Sequence, residues 1–213
     1  MKKYKSQSQL EDFLAEQLTW RRKELHDLKS VIFEKRKSKE LKPLVKSAIV
    51  LAYSHWEGYV KEVSNAYLSY ISFREIPKDK IAENFLTLVV QNNLKNKGFE
   101  DCITEVKILF DKTNDKCVIP TDNIINTESN LNSEVLNKIM LLIGLDYSFF
   151  ETKKLFLDKI LLGSRNGIAH GEDKDVKIDD YVEVFDFVLE SITQYKNLIE
   201  NALNIKSYLK IVN

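Results

Sequence analysis

Only 6 glycines and 3 prolines punctuate the 213 residues. A β-rich fold needs such residues at its many turns, so their scarcity makes helix the natural reading. The apolar residues agree. From about 6 to 36, Leu10, Phe13, Leu14, Leu18, Leu25, Leu28 and Ile32 recur at helical spacing among polar residues. From about 40 to 73, Leu44, Val45, Ala48, Ile49, Ala52, Trp56, Tyr59, Val60, Val63, Tyr67 and Ile71 do the same. Pro43 is tolerable there because it falls in a first turn. The lysine-rich stretch Lys35–Glu40 makes the turn between them. The two segments can pair as a long antiparallel hairpin, each apolar stripe burying the other.

The middle, about 77–147, is more broken. Short helical patterns at 79–93 and 99–112 precede Cys117-Val-Ile-Pro120, which reads as extended because proline disfavours helix before it. A polar stretch, Thr121–Asn130, leads to a helix near 132–143 that stops at Gly144, a C-cap residue. Strong periodicity returns in a helix of about 147–163, marked by Phe149, Phe150, Leu155, Phe156, Ile160 and Leu161. A last helix, 178–209, carries Tyr181, Val184, Phe185, Val188, Leu189, Ile192, Leu198, Ile199 and Leu203. The prediction is an all-α fold in one domain over 1–213. Four long helices form a core from 6–73 and 147–209, with a helical insertion at about 77–146.

Basic and acidic residues both number 32, so the net charge is zero. Coating nucleic acid without sequence preference needs a basic excess to release counterions, which argues against that mode. Residues 1–42 hold 12 basic and 7 acidic side chains, enough for a modest positive face or simply a solvated helical one. Cys102 and Cys117 form no CxxC pair and have no histidine at ligand spacing, so they read as ordinary thiols of a reducing cytosol. With three histidines and no Cys/His grouping, no metal and no cofactor are expected. Met1-Lys2-Lys3 leads into polar residues, not an apolar run, and no apolar stretch is long enough to span a bilayer. A cytoplasmic protein with no membrane contact is the expectation.

Half of all the glycines fall in nine residues: Gly163, Gly167 and Gly171. They frame the segment SRNGIAHG, Ser164 to Gly171. Glycine costs a helix about 1 kcal/mol relative to alanine, so the cluster predicts a helix end that brings Arg165 and His170 to one side. Arginine is a permanent cation whose planar donor fork suits phosphate. Histidine exchanges protons near neutral pH. RNA carries its own nucleophile, the 2′-hydroxyl, so its cleavage needs only a base, an acid and a cation for the phosphorane. Spacing alone favours a structural role. Arg165 and Asn166 could cap carbonyls at the helix end, and His170 could be a turn residue.

R-N-G-I-A-H, read as Arg-x4-His with Asn after the Arg, resembles the signature of the HEPN superfamily. Tyr53-Ser-His-Trp-Glu-Gly-Tyr-Val-Lys61 resembles a stretch of its MAE-like and RiboL-PSP groups, and Ser129-Asn-Leu-Asn132 also fits them. The resemblance implies a helical bundle that dimerises and, in many members, a metal-independent endoribonuclease of toxin–antitoxin or anti-phage systems. It would assign phosphorane stabilisation to Arg165, orientation of the Arg or the phosphate to Asn166, and acid/base work to His170. Products would be 2′,3′-cyclic phosphate and 5′-hydroxyl ends. A second copy facing the first across a twofold axis would supply the second histidine, giving a homodimer with a composite site. Partners would be RNA and a cognate antitoxin. His55, Glu57 and Lys61 are candidates to border the cleft and touch substrate, although Glu57 and Lys61 also form an ordinary i,i+4 pair. The alternative is a non-catalytic RNA- or nucleotide-binding or interaction module of a defence complex. Glu172 stands where some relatives carry a modifiable tyrosine, so inactivation there is not expected. Glu172, Asp173 and Asp175 could instead repel RNA.

Overall fold

The computed structural model describes residues 3–111 and 115–210. Helix α1 spans Gln7–Glu34, with the Ser6 hydroxyl accepting the Gln9 N–H at 3.2 Å. That cap satisfies one of the donors a helix start leaves open. Helix α2, Leu41–Phe73, begins two residues before Pro43, where a missing N–H costs nothing. The insertion holds α3 (Glu83–Leu94), α4 (Phe99–Asp111) and α5 (Ser133–Leu142). After it come α6 (Ser148–Glu151), a π-helical stretch Phe156–Leu162, α7 (Gly163–Ala169) and α8 (Ile178–Asn204). Among the described residues there is no strand, only two isolated bridges, Pro77 with Lys116 and Ile81 with Leu209. The fold is all-α.

Three long helices make the core, and polar pairs set their directions. Tyr59 donates to the Leu14 carbonyl at 3.4 Å, Tyr181 to the Leu25 carbonyl at 3.3 Å, and Gln7 to Asn204 at 2.9 Å. Helix α1 therefore runs antiparallel to both α2 and α8. The Ser64 and Tyr195 hydroxyls meet at 2.7 Å, so α2 and α8 run parallel. Helix α2 is buried on several faces because α1, α7 and α8 all lean on it. Trp56 sits fully buried there, its ring 5.6 Å from Phe150 and 6.2 Å from Tyr195. No helix among the described residues is long and apolar enough to cross a membrane.

The fourth core position differs from the single helix expected at 147–163. Helix α6 is one turn long, closed by the Lys153 N–H on the Phe150 carbonyl. The chain then winds as a π-helix whose last bond runs from the Gly163 N–H to the Asp158 carbonyl, five residues back. One extra residue per turn is all a π stretch needs, and apolar periodicity scarcely registers it. Helical winding continues through Ala169, beyond the expected end.

In the insertion, Asn132 caps α5 by accepting the Val135 N–H at 2.8 Å, and Gly144 ends it at φ +70°. Helix α4 packs on α3 and turns Phe99, Ile103, Val106 and Ile108 outward. Lys112, the last residue of the helix expected at 99–112, lies outside the described residues.

Candidate active site

Gly163 and Gly167 are helical; of the three clustered glycines only Gly171 ends anything. At φ +78° it adopts the left-handed conformation that side chains resist. The Gly171 N–H bonds the Ile168 carbonyl at 3.1 Å and the Glu172 N–H bonds the Gly167 carbonyl at 2.9 Å. This paired closure makes His170 the C-cap of α7. The other two glycines have different work. A Cβ on Gly163 would lie 3.4 Å from the Asp158 carbonyl of the π turn. A Cβ on Gly167 would fall within 2.4 Å of the Lys174 and Glu172 side chains, which lie across the helix. Lys174 reaches over it to donate to the Gly163 carbonyl at 2.9 Å.

Arg165 is the best-held side chain of the segment. Its Nη1 donates to Asn166 Oδ1 at 2.7 Å and to Asn130 Oδ1 at 3.2 Å, and its Nη2 donates to the Ser129 carbonyl at 2.6 Å. The guanidinium carbon stands 4.3 Å from the centre of the Tyr53 ring. Stacking on an aromatic face suits a guanidinium better than an ammonium. One carboxylate is near: Glu57 Oε2, 3.7 Å from Nη2. All three hydrogen-bond acceptors are neutral carbonyl oxygens, which orient the fork without cancelling its charge.

The floor and wall of this arrangement come from distant parts of the chain. Tyr53, from α2, accepts the Leu131 N–H at 2.6 Å, so the same ring that carries Arg165 also anchors the turn that clamps it. Burial, and Glu57 after it, push the Tyr53 phenol up to about 12. The turn itself is tight. Glu128 and Ser129 sit at φ 55° and 57°, and the Asn130 N–H bonds the Thr127 carbonyl. Asp158 then ties the turn to the π stretch, accepting the Ser133 N–H at 2.7 Å and its hydroxyl at 2.6 Å. Sequence reasoning quoted Tyr53 and Ser129–Asn132 only as parts of a pattern and passed over Asp158.

His170 is exposed, one turn beyond Asn166, whose carbonyl accepts its N–H at 2.9 Å. The other three candidates divide between two faces of α2. Glu57 is half-buried beside Arg165, and Lys61 is exposed one turn further on. His55 faces α1 instead, buried against Glu24 at 3.1 Å and the Trp20 ring at 5.3 Å. Burial holds its pKa below the usual imidazole value, and the nearby Glu24 only partly offsets this. Next to it, buried Arg21 pairs with Glu62 at 3.0 Å and lies over the Trp20 ring. His26 is exposed, with its ring edge-on to Phe185 at 5.0 Å.

The acidic stretch after His170 is less repulsive than its sequence suggests. Lys42 lies 3.1 Å from Asp173 and 3.8 Å from Asp175, and Lys46 lies 3.5 Å from Asp173. Hydrogen bonding and charge from Lys42, then Lys46, hold the Asp173 carboxyl below its ordinary pKa. The lysines come from the first turns of α2, too far along the chain for charge counting to pair them. A cleft of about 270 Å³ opens behind α7, lined by Ser164, Lys174, Asp175, Val176 and Asp180. A roomier cleft, about 760 Å³, lies elsewhere, among Tyr4, Phe13, Glu62, Asn65 and Thr121. It shares none of the groups suited to proton transfer at neutral pH, so volume is the poorer guide here. Among the described residues no group of three or more His, Cys, Asp or Glu is disposed to hold a metal ion.

A family model described as RiboL-PSP-HEPN matches residues 16–201. The chain belongs to the RiboL-PSP-HEPN family. No curated protein matches it, and no solved structure does. The family match takes in most of α1 and α8 of this HEPN domain, all of α2, the insertion, and the segment from Ser164 to Gly171. HEPN domains serve as nucleases or RNA-binding modules, which sets the class within which Arg165 and its neighbours must be understood.

Proposed function

We propose that this chain is a metal-independent endoribonuclease, acting in the cytoplasm as the effector of a toxin–antitoxin or anti-phage system. The observation that carries the reading is the state of Arg165. It is stacked on Tyr53, oriented by three neutral carbonyl oxygens, and set on the same short helix as an exposed His170. A cation fixed before the substrate arrives is what a developing phosphorane needs.

In this reading the 2′-hydroxyl of the RNA attacks the adjacent phosphorus and the 5′-oxygen leaves. A base removes the hydroxyl proton and an acid protonates the leaving oxygen, giving 2′,3′-cyclic phosphate and 5′-hydroxyl ends. Arg165 stabilises the pentacoordinate charge, Asn166 orients Arg165, and His170 carries one of the two protons. The second proton falls to His170 of a second copy, in a homodimer with a composite site. In the same reading Lys61, exposed one turn from Glu57, follows the RNA backbone. His55 has no part, since it is turned into the α1 interface.

Incubation with RNA in EDTA tests the reading, with wild type beside His170→Ala and Arg165→Ala. Loss of a general acid/base costs roughly 10²–10⁴ in rate. If neither wild type nor variant cuts, or both cut alike, the chain is not a nuclease of this kind. A second reading, an interaction module that docks a cognate antitoxin or another defence subunit, draws on the outward apolar face of α4. Phe99 is 82% exposed there, in line with Ile103 and Val106.

A further inference from the structure

Glu57, 3.7 Å from Arg165 Nη2, accepts no hydrogen bond from it. Instead both Nη1 donors go to amide oxygens, of Asn130 and Asn166, and one Nη2 donor goes to a backbone carbonyl. Two of these three acceptors, Asn130 and the Ser129 carbonyl, belong to the insertion. The turn that presents them takes two successive left-handed residues, Glu128 and Ser129, neither of them glycine. Such conformations cost free energy and persist where the surroundings impose them. Here the Leu131 N–H on Tyr53 and the Ser133 pair on Asp158 lock the chain just after the turn.

We propose that Asn130 is a positioning residue for Arg165, and that the turn Thr127–Asn132 is the insertion's contribution to the site. The turn fixes the guanidinium without adding a second carboxylate to Glu57, so more of its positive charge remains for an anion. The choice of an amide is then essential. Aspartate at 130 would keep the shape and the contact but supply a competing negative charge; alanine would keep the charge and lose the hold. Asn130 is exposed and its side chain makes no other hydrogen bond among the described residues, so both variants should fold.

This role rests on the proposed nuclease reading, so the test carries one readout that does not depend on it. Arginine-labelled protein is examined by NMR for rotation of the Arg165 guanidinium, with Arg165→Lys assigning the signal, and RNA cleavage is measured in parallel. Wild type should show hindered rotation. Asn130→Ala should release it and lower kcat about tenfold with little change in KM, since small misplacements of a reacting group are costly. Asn130→Asp should keep rotation hindered yet lose at least as much kcat, with thermal midpoints of both variants close to wild type. Free rotation in wild type, or unchanged rotation in Asn130→Ala, overturns the proposal, as does released rotation with undiminished kcat. Should wild type cut no RNA, the nuclease reading falls, and the rotation measurement alone decides whether Asn130 holds Arg165.

Discussion

Tyr53 does two jobs with one side chain, and removing its hydroxyl separates them. Phenylalanine at 53 keeps the ring under Arg165 but strands the Leu131 N–H, which is buried. An unpaired buried donor costs about 1–3 kcal/mol, so Tyr53→Phe should lower the unfolding free energy by that amount, read from denaturant titration. His55 offers a pH test at the same scale. Its folded pKa is depressed, so the neutral form is favoured in the native state. Its contribution is fully present above the unfolded value, about 6.5, and is lost as pH falls below it. Stability measured from pH 7.5 down to 5 should decline, and His55→Gln should flatten that decline.

The same residues show how far a sequence can be read. Arg165, Asn166 and His170 stand out because three glycines surround them in an otherwise helical chain. Tyr53 does not stand out, because an aromatic on a buried helical stripe looks like any other core residue. Nor does Asn130, one of several asparagines in a polar loop; only its place in space connects it to a residue 35 positions away.

Among the elements, long amphipathic helices are legible and irregular ones are not. Helices α1, α2 and α8 fall close to where their apolar spacing puts them. The π stretch escapes notice because it shifts the register by a single residue while keeping the winding helical. The glycines mislead for a related reason. Two of them relieve crowding inside a helix, and one alone, Gly171, has a backbone conformation that demands glycine. Gly171→Ala should therefore cost about 1–2 kcal/mol from left-handed strain. Gly167→Ala meets only the ends of Lys174 and Glu172, flexible chains that can move aside, and should be nearly neutral or stabilising. Paired thermal melts of the two variants check the contrast.

For the molecule as a whole, aromatic burial is the dominant theme. Burial raises the pKa of eight of the nine tyrosines, with Tyr53, Tyr147 and Tyr208 pushed up to about 12. Above pH 10 the unfolded chain releases tyrosine protons that the folded chain keeps, so stability falls as pH rises from about 10. Phenolate absorbance should thus appear together with loss of helical circular dichroism, not before it. Trp56, at the centre of that core, should cost about 3–5 kcal/mol when replaced by alanine. If the site is composite, specific activity should rise with protein concentration until the dimer saturates, as sedimentation can establish independently.

The clamp on Arg165 also bears on how such a protein is made. Its parts lie at residues 53, 129–131 and 165, on three elements far apart in the chain. Synthesis delivers Tyr53 and the 129–131 turn first and Arg165 last, so the clamp stays open until the arginine has emerged. On the proposed nuclease reading, the catalytic cation would be the last part of its own clamp to be made.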